Sequence, residues 1–240
     1  MDTSTVRKGA MRSRGRFAPD MDYCSVGGGG RPNEDYALFE EGLGACVADG
    51  VGGAPLGATV ARLACHAAMR ALREGHSAKA AVLAAQEAVL RLVDEVESPR
   101  SGTSLVVARI GKAGIGLSWA GDAAAFVYRR EGDGRSFVST LDTRHFASVP
   151  PLGRCNRCQA ESLDVDSEVF ESMAVCTDGL WRIVGGDEIA ILLSADESAR
   201  ATASHIVFGR RLRDDATALV VRSRSSHDNN PSPQRADIGG

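Results

Sequence analysis

Apolar positions follow two different periods along the chain, and each period predicts one kind of element. Short apolar runs at 36–40 and 43–49 are bounded by polar turns and predict a pair of strands. Two Ala- and Leu-rich stretches, 56–75 and 77–97, repeat apolar residues at helical spacing and predict two consecutive helices. Pro55 precedes the first of them, at a helix start where a missing N–H costs nothing.

The second half of the chain carries more strand-like runs than helical ones. Four runs separated by Gly-containing turns have the pattern of an antiparallel meander, at 102–111, 114–122, 124–130 and 137–141. An irregular link then leads to two strands, two helices and a last strand, at 161–179, 186–194, 196–212 and 216–222. Strand pairs interrupted by helix pairs indicate a layered α+β domain, because each sheet face must be covered by another element.

Both ends of the chain lack a hydrophobic period. Residues 1–20 are polar and basic, and residues 223–240 are rich in Ser, Asn, Pro and Arg, so both are predicted to be disordered tails. The domain is therefore placed at 21–222. With 240 residues, of which 43% are hydrophobic and 25% charged, the chain can bury a full core.

Charge, apolar length and cysteine usage narrow the class of protein. A net charge of -3 gives no reason to expect nucleic acid as a partner. No apolar segment reaches the about 20 residues that cross a membrane, and the N-terminus lacks the apolar core of a signal peptide, which predicts a cytoplasmic protein. Six cysteines are too sparse for a disulfide scaffold and are expected to be reduced and mostly buried.

Three weaker motifs favour ordinary structure over chemistry. Cys155 and Cys158 form a lone Cys-x-x-Cys pair with no second pair to complete four ligands, so zinc is not predicted. The glycine run before Arg31 lacks the Gly-Lys-Ser/Thr of a phosphate-binding P-loop and favours a flexible turn. His66, on an Ala-rich helix, is expected to serve packing or capping and not catalysis. His145, which follows the TLDT run near the irregular link, is the histidine with the better case for a functional role.

Carboxylates stand at the edges of four strand-like runs. Asp49, Asp122 and Asp178 each follow an apolar run, and Asp214 and Asp215 directly precede one. A single Asp-Gly marks an ordinary turn, but the repetition suggests a shared site. Two carboxylates about 4 Å apart repel by roughly 4 kcal/mol at an effective dielectric constant near 20, so a pocket holding several of them requires a cation.

The chemistry of this set of ligands indicates phosphate-ester hydrolysis. Oxygen ligands without accompanying His or Cys favour Mg²⁺ or Mn²⁺ over zinc. Two such ions about 3.5–4 Å apart lower the pKa of a bridging water and hold a phosphate group for in-line attack. Gly50, directly after Asp49, lets its backbone carbonyl approach an ion and leaves the cleft open.

Short motifs along the chain resemble, in sequence order, the metal-dependent protein phosphatases of the PP2C (PPM) family, bacterial type. The motifs are RPNED (31–35), ADGVGG (48–53), SGTSLVVA (101–108), AGDAAAFVYR (120–129), TLDTRH (140–145), TDGLW (177–181) and RDDATALVV (213–221). The resemblance runs from Arg31 to Val221. It implies a four-layer αββα sandwich of two antiparallel sheets flanked by helix pairs, in agreement with the α+β order of elements.

The resemblance implies a metal-binding role for each matching acid. Asp49 corresponds to the aspartate that bridges two metal ions, and Gly50 to the residue whose backbone carbonyl binds one of them. Asp178 and Asp215 correspond to the remaining ligands of the other ion. Asp122 corresponds to a ligand, shared with Asp178, of a third and weaker ion.

Three further residues are expected to act around the ions. Glu34 and Asp35 correspond to acids that hold metal-bound water without touching the ion. Arg31 is the candidate for binding substrate phosphate, although many relatives carry this arginine about one position further upstream, whereas here four glycines precede Arg31 and Pro32 follows it. Two other positions depart from the family pattern: Ala123 replaces a serine, and Arg182 stands where an acid is common. The link from 142 to 161 is also shorter than the flap of many bacterial relatives.

The sequence thus predicts a cytoplasmic serine/threonine phosphoprotein phosphatase that uses two or three Mn²⁺ or Mg²⁺ ions and forms no covalent enzyme intermediate. Its expected partners are phosphoproteins modified by an opposing serine/threonine kinase, and it is expected to be a monomer. Two alternatives stay open. One is a PP2C-like regulatory or binding module with little catalytic activity, and the other is a phosphatase of a regulatory circuit with a single dedicated partner.

Overall fold

The computed structural model describes residues 19–30, 32–51, 54, 56–132, 134–139, 150–154, 156 and 158–223. Four residues discussed above, Arg31, Pro55, His145 and Cys155, lie outside the described residues, as do nearly all residues of the two predicted tails.

The described residues form ten strands and five helices. The strands are β1 (Asp20–Val26), β2 (Asp35–Glu40), β3 (Gly44–Gly50), β4 (Thr103–Gly111), β5 (Gly114–Ala120), β6 (Ala124–Glu131), β7 (Gly134–Ser139), β8 (Glu161–Asp166), β9 (Phe170–Cys176) and β10 (Ala216–Arg222). The helices are α1 (Gly57–Arg73), α2 (Ala78–Glu95), α3 (Asp178–Val184), α4 (Gly186–Ser194) and α5 (Ala199–Val207). No helix in the described part of the chain is long and apolar enough to cross a membrane.

The strands form two five-stranded antiparallel sheets. The first sheet has the order β1-β10-β9-β6-β7 and the second the order β2-β3-β4-β5-β8. Helices α1 and α2 pack on the outer face of the second sheet, and α3, α4 and α5 pack on the outer face of the first. The predicted four-layer αββα sandwich is confirmed, with three helices instead of two on one side.

Alternate residues of the central strands belong to different cores, because successive side chains of a strand point to opposite faces. In β4, Leu105 and Val107 pack with α1 and α2, whereas Val106 and Ala108 pack between the two sheets. All four side chains are buried. Strands that are covered on both faces therefore appear in the sequence as continuous apolar runs. Such runs indicate where the strands lie but not which residues point to which face.

The predicted meander of four successive strands is wrong. Strands β4 and β5 pair in the second sheet, whereas β6 and β7 pair in the first, so the chain crosses between the sheets after β5. The crossing begins at Gly121, which has a φ of 84° and whose added Cβ would lie 2.6 Å from the Cβ of Ser104. A glycine is required here because both the positive φ and the close approach exclude a side chain.

Two elements were not predicted from the pattern. Strand β1, which begins at Asp20, alternates polar and apolar residues only as far as Tyr23, and Cys24 breaks the pattern. Helix α3 is only seven residues long and starts with Asp178-Gly179, a pair typical of a turn. The helix predicted at 196–212 is shorter in the structure and covers Ala199–Val207.

The antiparallel arrangement collects the acidic residues at one end of the sandwich. Asp35 at the start of β2 is in register with Asp49 near the end of β3. Asp178 and Asp215 lie just beyond the paired ends of β9 and β10, where Ala218 is opposite Cys176. Because neighbouring antiparallel strands run in opposite directions, the end of one lies beside the start of the next, and their carboxylates meet.

Candidate metal and phosphate site

A small acidic cleft of about 170 Å³ opens at this end of the sandwich. Its lining contains most of the predicted site residues and consists of Glu34, Asp49, Gly50, Val51, Ser104, Asp122, Asp178, Asp214 and Asp215. Asp35 lies beside it, buried next to Asp49. The structure therefore brings together all the predicted site residues that it describes.

Both carboxylate oxygens of Asp215 accept hydrogen bonds from the backbone. The Gly28 N–H donates to Oδ1 at 2.8 Å, and the Glu34 N–H donates to Oδ2 at 2.7 Å. These bonds join the start of β10 to the connection between β1 and β2. The side chain is buried and fixed in orientation, and each oxygen retains acceptor capacity for a further partner.

Asp35 is held on one side only. The Thr177 hydroxyl donates to its Oδ2 at 2.8 Å, and Thr177 in turn accepts from the Thr217 N–H at 3.0 Å. The Oδ1 atom of Asp35 is buried and has no hydrogen-bond partner among the described residues. Burial raises the pKa of Asp35 to about 7, with added repulsion from Asp215 and Asp178 and against the hydrogen bonds of the two threonines. A buried carboxylate oxygen without a partner indicates a missing water or cation.

Asp49 is the acid with the least favourable surroundings for a negative charge. It pairs across the sheet with Asp35 on one side and Ser104 on the other. Burial raises the pKa of Asp49 to about 10, and the charges of Asp35, Asp178 and Asp122 and a hydrogen bond with Asp178 contribute in the same direction. Without a cation nearby, this carboxyl group keeps its proton at neutral pH.

The backbone at Gly50 is packed too closely to carry a side chain. An added Cβ would lie 2.4 Å from the carbonyl carbon and oxygen of Gly57, the first residue of α1. The Gly50 N–H donates to the Glu34 carbonyl at 3.2 Å, and the Thr103 hydroxyl donates to the Asp49 carbonyl at 2.8 Å. The end of β3 is therefore fixed against both α1 and the neighbouring strands, and this contact requires glycine.

Asp122 and Asp178 form the other wall of the cleft, and both contact Arg182. The Arg182 Nη2 atom lies 3.0 Å from Asp178 Oδ2 and 3.4 Å from Asp122 Oδ2. The Trp181 indole N–H donates to the Asp122 carbonyl at 3.0 Å. Burial and the charge of Asp178 raise the pKa of Asp122, whereas the Arg182 guanidinium acts to lower it.

Four residues of the site carried no site role in the sequence analysis. Arg182 was noted only as a departure from the family pattern, and Asp214 only as an acid at a strand edge. Ser104 lines the cleft with a buried hydroxyl that finds no hydrogen-bond partner within the described part of the chain, and Thr177 holds Asp35. Ser104 stands at the start of an apolar run and Thr177 follows one, as many loop residues do. No sequence signal therefore distinguished these two residues.

The acids fit a divalent cation by chemistry, although their present contacts are with the protein. No group of three or more Asp, Glu, His or Cys side chains in the described residues stands ready to enclose an ion. Asp215 is turned toward two backbone N–H groups and Asp178 toward Arg182. The donor set is all oxygen, Asp35 keeps one buried oxygen without a partner, and the mutual repulsion at Asp49 is relieved by positive charge.

A second, larger cleft of about 930 Å³ lies between the start of α2 and strands β4, β5 and β8. Its lining includes Lys79, Arg109, Lys112 and Asp164, and none of the predicted site residues. Size alone therefore does not mark the functional site in this fold, and the small acidic cleft is the better candidate because the carboxylates with raised pKa values converge there.

Comparison with known proteins identifies the family of this chain. The family described as protein phosphatase 2C matches residues 27–218. The chain belongs to the protein phosphatase 2C family. No relative is found among curated proteins.

Solved bacterial phosphatases share the fold. Serine/threonine phosphatase Stp1 from Staphylococcus aureus is 12% identical with a TM-score of 0.71, over 94% of this chain and 100% of that one. PstP/Ppp of Mycobacterium tuberculosis is 20% identical with a TM-score of 0.68, over 87% and 100%. PppA, a regulatory component of the T6SS in Pseudomonas aeruginosa, is 25% identical with a TM-score of 0.67, over 86% and 98%.

The raised pKa values predict how the stability of the metal-free protein depends on pH. A carboxyl group whose pKa is raised by folding binds its proton more tightly in the folded state. Its contribution to stability is therefore greatest below the ordinary value of 3.8 and is lost as the pH rises toward about 7 for Asp35 and about 10 for Asp49. In EDTA, the melting temperature should fall by on the order of 5–10 °C between pH 6 and pH 8.5.

Calorimetry with and without Mn²⁺ measures this dependence. Added Mn²⁺ should raise the melting temperature more at pH 8.5 than at pH 6, because ligands must lose their protons to bind it. Asp49→Asn, which removes the most perturbed acid, should flatten the metal-free profile. A wild-type profile that is already flat, or one that the substitution leaves unchanged, would contradict the described electrostatics.

Proposed function

We propose that this protein is a metal-dependent serine/threonine phosphoprotein phosphatase that hydrolyses phosphoserine and phosphothreonine with activated water. The observation that carries the proposal is the convergence of Asp49, Asp122, Asp178 and Asp215 on one small cleft, with Asp49 half-buried among the other charges. Such a cluster is stable in its ionised form only beside a cation. Membership of the protein phosphatase 2C family supports the same chemistry.

In this proposal two Mn²⁺ or Mg²⁺ ions would be held in the cleft. Asp49 would be a ligand of both, Gly50 would offer its backbone carbonyl to one, and Asp178 and Asp215 would be the ligands of the other. Bound ions of this kind lower the pKa of water and polarise a phosphate group. The catalytic domain of serine/threonine phosphatase PstP, a fold relative, was solved in complex with two manganese ions, which supports this number.

The chain's own residues orient the ligands. Two backbone N–H groups fix the Asp215 carboxylate. The Thr177 hydroxyl fixes Asp35 through Oδ2, and Asp35 Oδ1 accepts no hydrogen bond from the described residues. Glu34 lines the cleft beside Asp215. We assign to Glu34 and Asp35 the task of accepting hydrogen bonds from water at the ions, since groups of this kind orient water without direct coordination.

The size of the cleft favours a phosphate group carried by a protein. Pockets that enclose a whole drug-sized ligand have volumes of about 300–1,000 Å³, whereas this cleft measures about 170 Å³. Such a volume admits a phosphate group while the remainder of the substrate stays outside. Phosphoproteins made by serine/threonine kinases meet this condition.

Residues outside the ligand set give no support for a protein nucleophile. The described lining of the cleft contains no Cys or His, so its one hydroxyl side chain, that of Ser104, has no imidazole beside it to act as a base. Burial raises the pKa values of the Cys65 and Cys176 thiols, which disfavours their nucleophilic thiolate forms. Water is therefore the attacking group in the proposal, without a covalent enzyme intermediate.

Activity should depend on added metal and on Asp49. Purified protein should release phosphate from a phosphothreonine peptide with Mn²⁺ or Mg²⁺, lose this activity in EDTA, and keep it after thiol alkylation. Asp49→Asn should lower kcat/KM by on the order of a thousandfold, because it removes the carboxylate shared by both ions. The matched control is Asp94→Asn, a substitution of an exposed acid on α2, which should leave kcat/KM unchanged.

Two outcomes would contradict the phosphatase proposal. Phosphate release that continues in EDTA would show that hydrolysis does not depend on a metal ion. A folded protein that binds Mn²⁺ and the phosphopeptide but releases no phosphate would instead support the regulatory or binding module.

We also propose that Arg31 binds the substrate phosphate. Arg31 itself lies outside the described residues, but Gly28 and Glu34, each three positions away from it in the sequence, both donate to Asp215. Arg31→Ala should raise KM by roughly 10–100-fold with little change in kcat, as expected for loss of a charge-assisted hydrogen bond. Arg91→Ala, on the exposed side of α2, is the control. An unchanged KM in the Arg31 variant would assign phosphate binding to another group.

A further inference from the structure

Arg182 places a permanent positive charge between two acids of the cleft. Its guanidinium lies 3.0 Å from Asp178 Oδ2 and 3.4 Å from Asp122 Oδ2. The side chains of these two acids are 20% and 36% exposed. The arginine brings this positive charge with the chain itself, so the charge does not depend on the supply of metal.

The position of Arg182 is set by helix α3. Asp178 opens this helix and Arg182 follows four residues later, so both side chains lie on the same helix face, with the acid nearer the N-terminus in the favourable order. The guanidinium carbon also lies 5.3 Å from the centre of the Trp181 ring, a cation–π distance. Trp181 is itself bonded to the Asp122 carbonyl at 3.0 Å. The arginine and both of its acidic partners therefore form one connected unit.

We propose that Arg182 is the resident cation of this side of the cleft and takes the place of a third metal ion. Its guanidinium lies at Oδ2 of both Asp122 and Asp178 and leaves Asp178 Oδ1 for the ion proposed above, so that the protein binds two divalent ions where the acids alone would attract three. The inference rests on the proposed function, because it assumes that the other two ions bind at Asp49. In this inference Asp122 does not bind a metal ion, as the family resemblance implied, but holds the Arg182 side chain in place.

The two kinds of cation compete for the same oxygens. A divalent ion between Asp122 and Asp178 would have to displace the guanidinium or lie beside it, and two like charges at this distance repel. The Arg182 side chain is 55% exposed, so it can move away when a competing charge is strong enough. Removal of the arginine charge should therefore uncover a weak ion site that the wild-type protein lacks.

Manganese stoichiometry tests this directly. Equilibrium dialysis at free Mn²⁺ concentrations up to several millimolar, followed by metal analysis, counts bound ions without any measurement of activity. Arg182→Met removes the charge and retains an apolar stem to cover Trp181. The matched control is Arg130→Met, because Arg130 has a similarly exposed side chain, 62%, and is paired with Glu171 at 2.6 Å, away from the cleft lining.

Wild type and Arg130→Met should saturate at two ions for each chain. Arg182→Met should bind a third ion with a dissociation constant on the order of millimolar, and Arg182→Met combined with Asp122→Asn should return to two. Circular dichroism of each variant shows that the counts refer to folded protein.

Three results would overturn the inference and leave the proposed function intact: a third ion in the wild type, two ions in Arg182→Met, or a third ion that persists in the double variant. Absence of bound Mn²⁺ from the wild type would overturn the proposed function and the inference with it. The two failures are thus distinguished by the wild-type count.

Discussion

Mutual repulsion among carboxylates in a confined cleft is the constraint on which the rest of the site depends. Asp35 and Asp49 face each other across paired strands, with Asp178 and Asp215 nearby, and burial together with these charges raises the pKa values of the first two acids to about 7 and about 10. Charges this close are tolerated only with opposite charge between them. The geometry of the site follows from how the fold holds the acids together in spite of that repulsion.

The fold holds them with short, directional contacts from neighbouring strands. Backbone N–H groups of Gly28 and Glu34 fix Asp215, and the hydroxyl of Thr177 fixes Asp35. The close approach of Gly50 to Gly57 presses the end of β3 against the start of α1. Each contact joins different elements, so the site is a property of the whole sandwich and cannot form within a single motif.

Much of this arrangement could be predicted from sequence, because it depends on local patterns. Strands that are covered on both faces gave long apolar runs. The acids that follow or precede those runs were therefore expected at the ends of strands. The crossing after β5 could not be predicted, since the pairing partners of a strand depend on long-range packing that leaves no local trace. Helix α3 was not predicted because it begins with Asp178-Gly179, a pair typical of a turn. The ion pair between Arg182 and Asp122 depends on that helix and could not be predicted either.

We propose that Asp49 would be a ligand of two divalent ions in the cleft. Crystals grown with Mn²⁺, with diffraction recorded at the manganese absorption edge, locate such ions by anomalous scattering without any assumption about activity. We predict two anomalous peaks in the acidic cleft, about 3.5–4 Å apart and both within bonding distance of Asp49. A single peak remote from Asp49, or a cleft without any anomalous peak, would contradict the account.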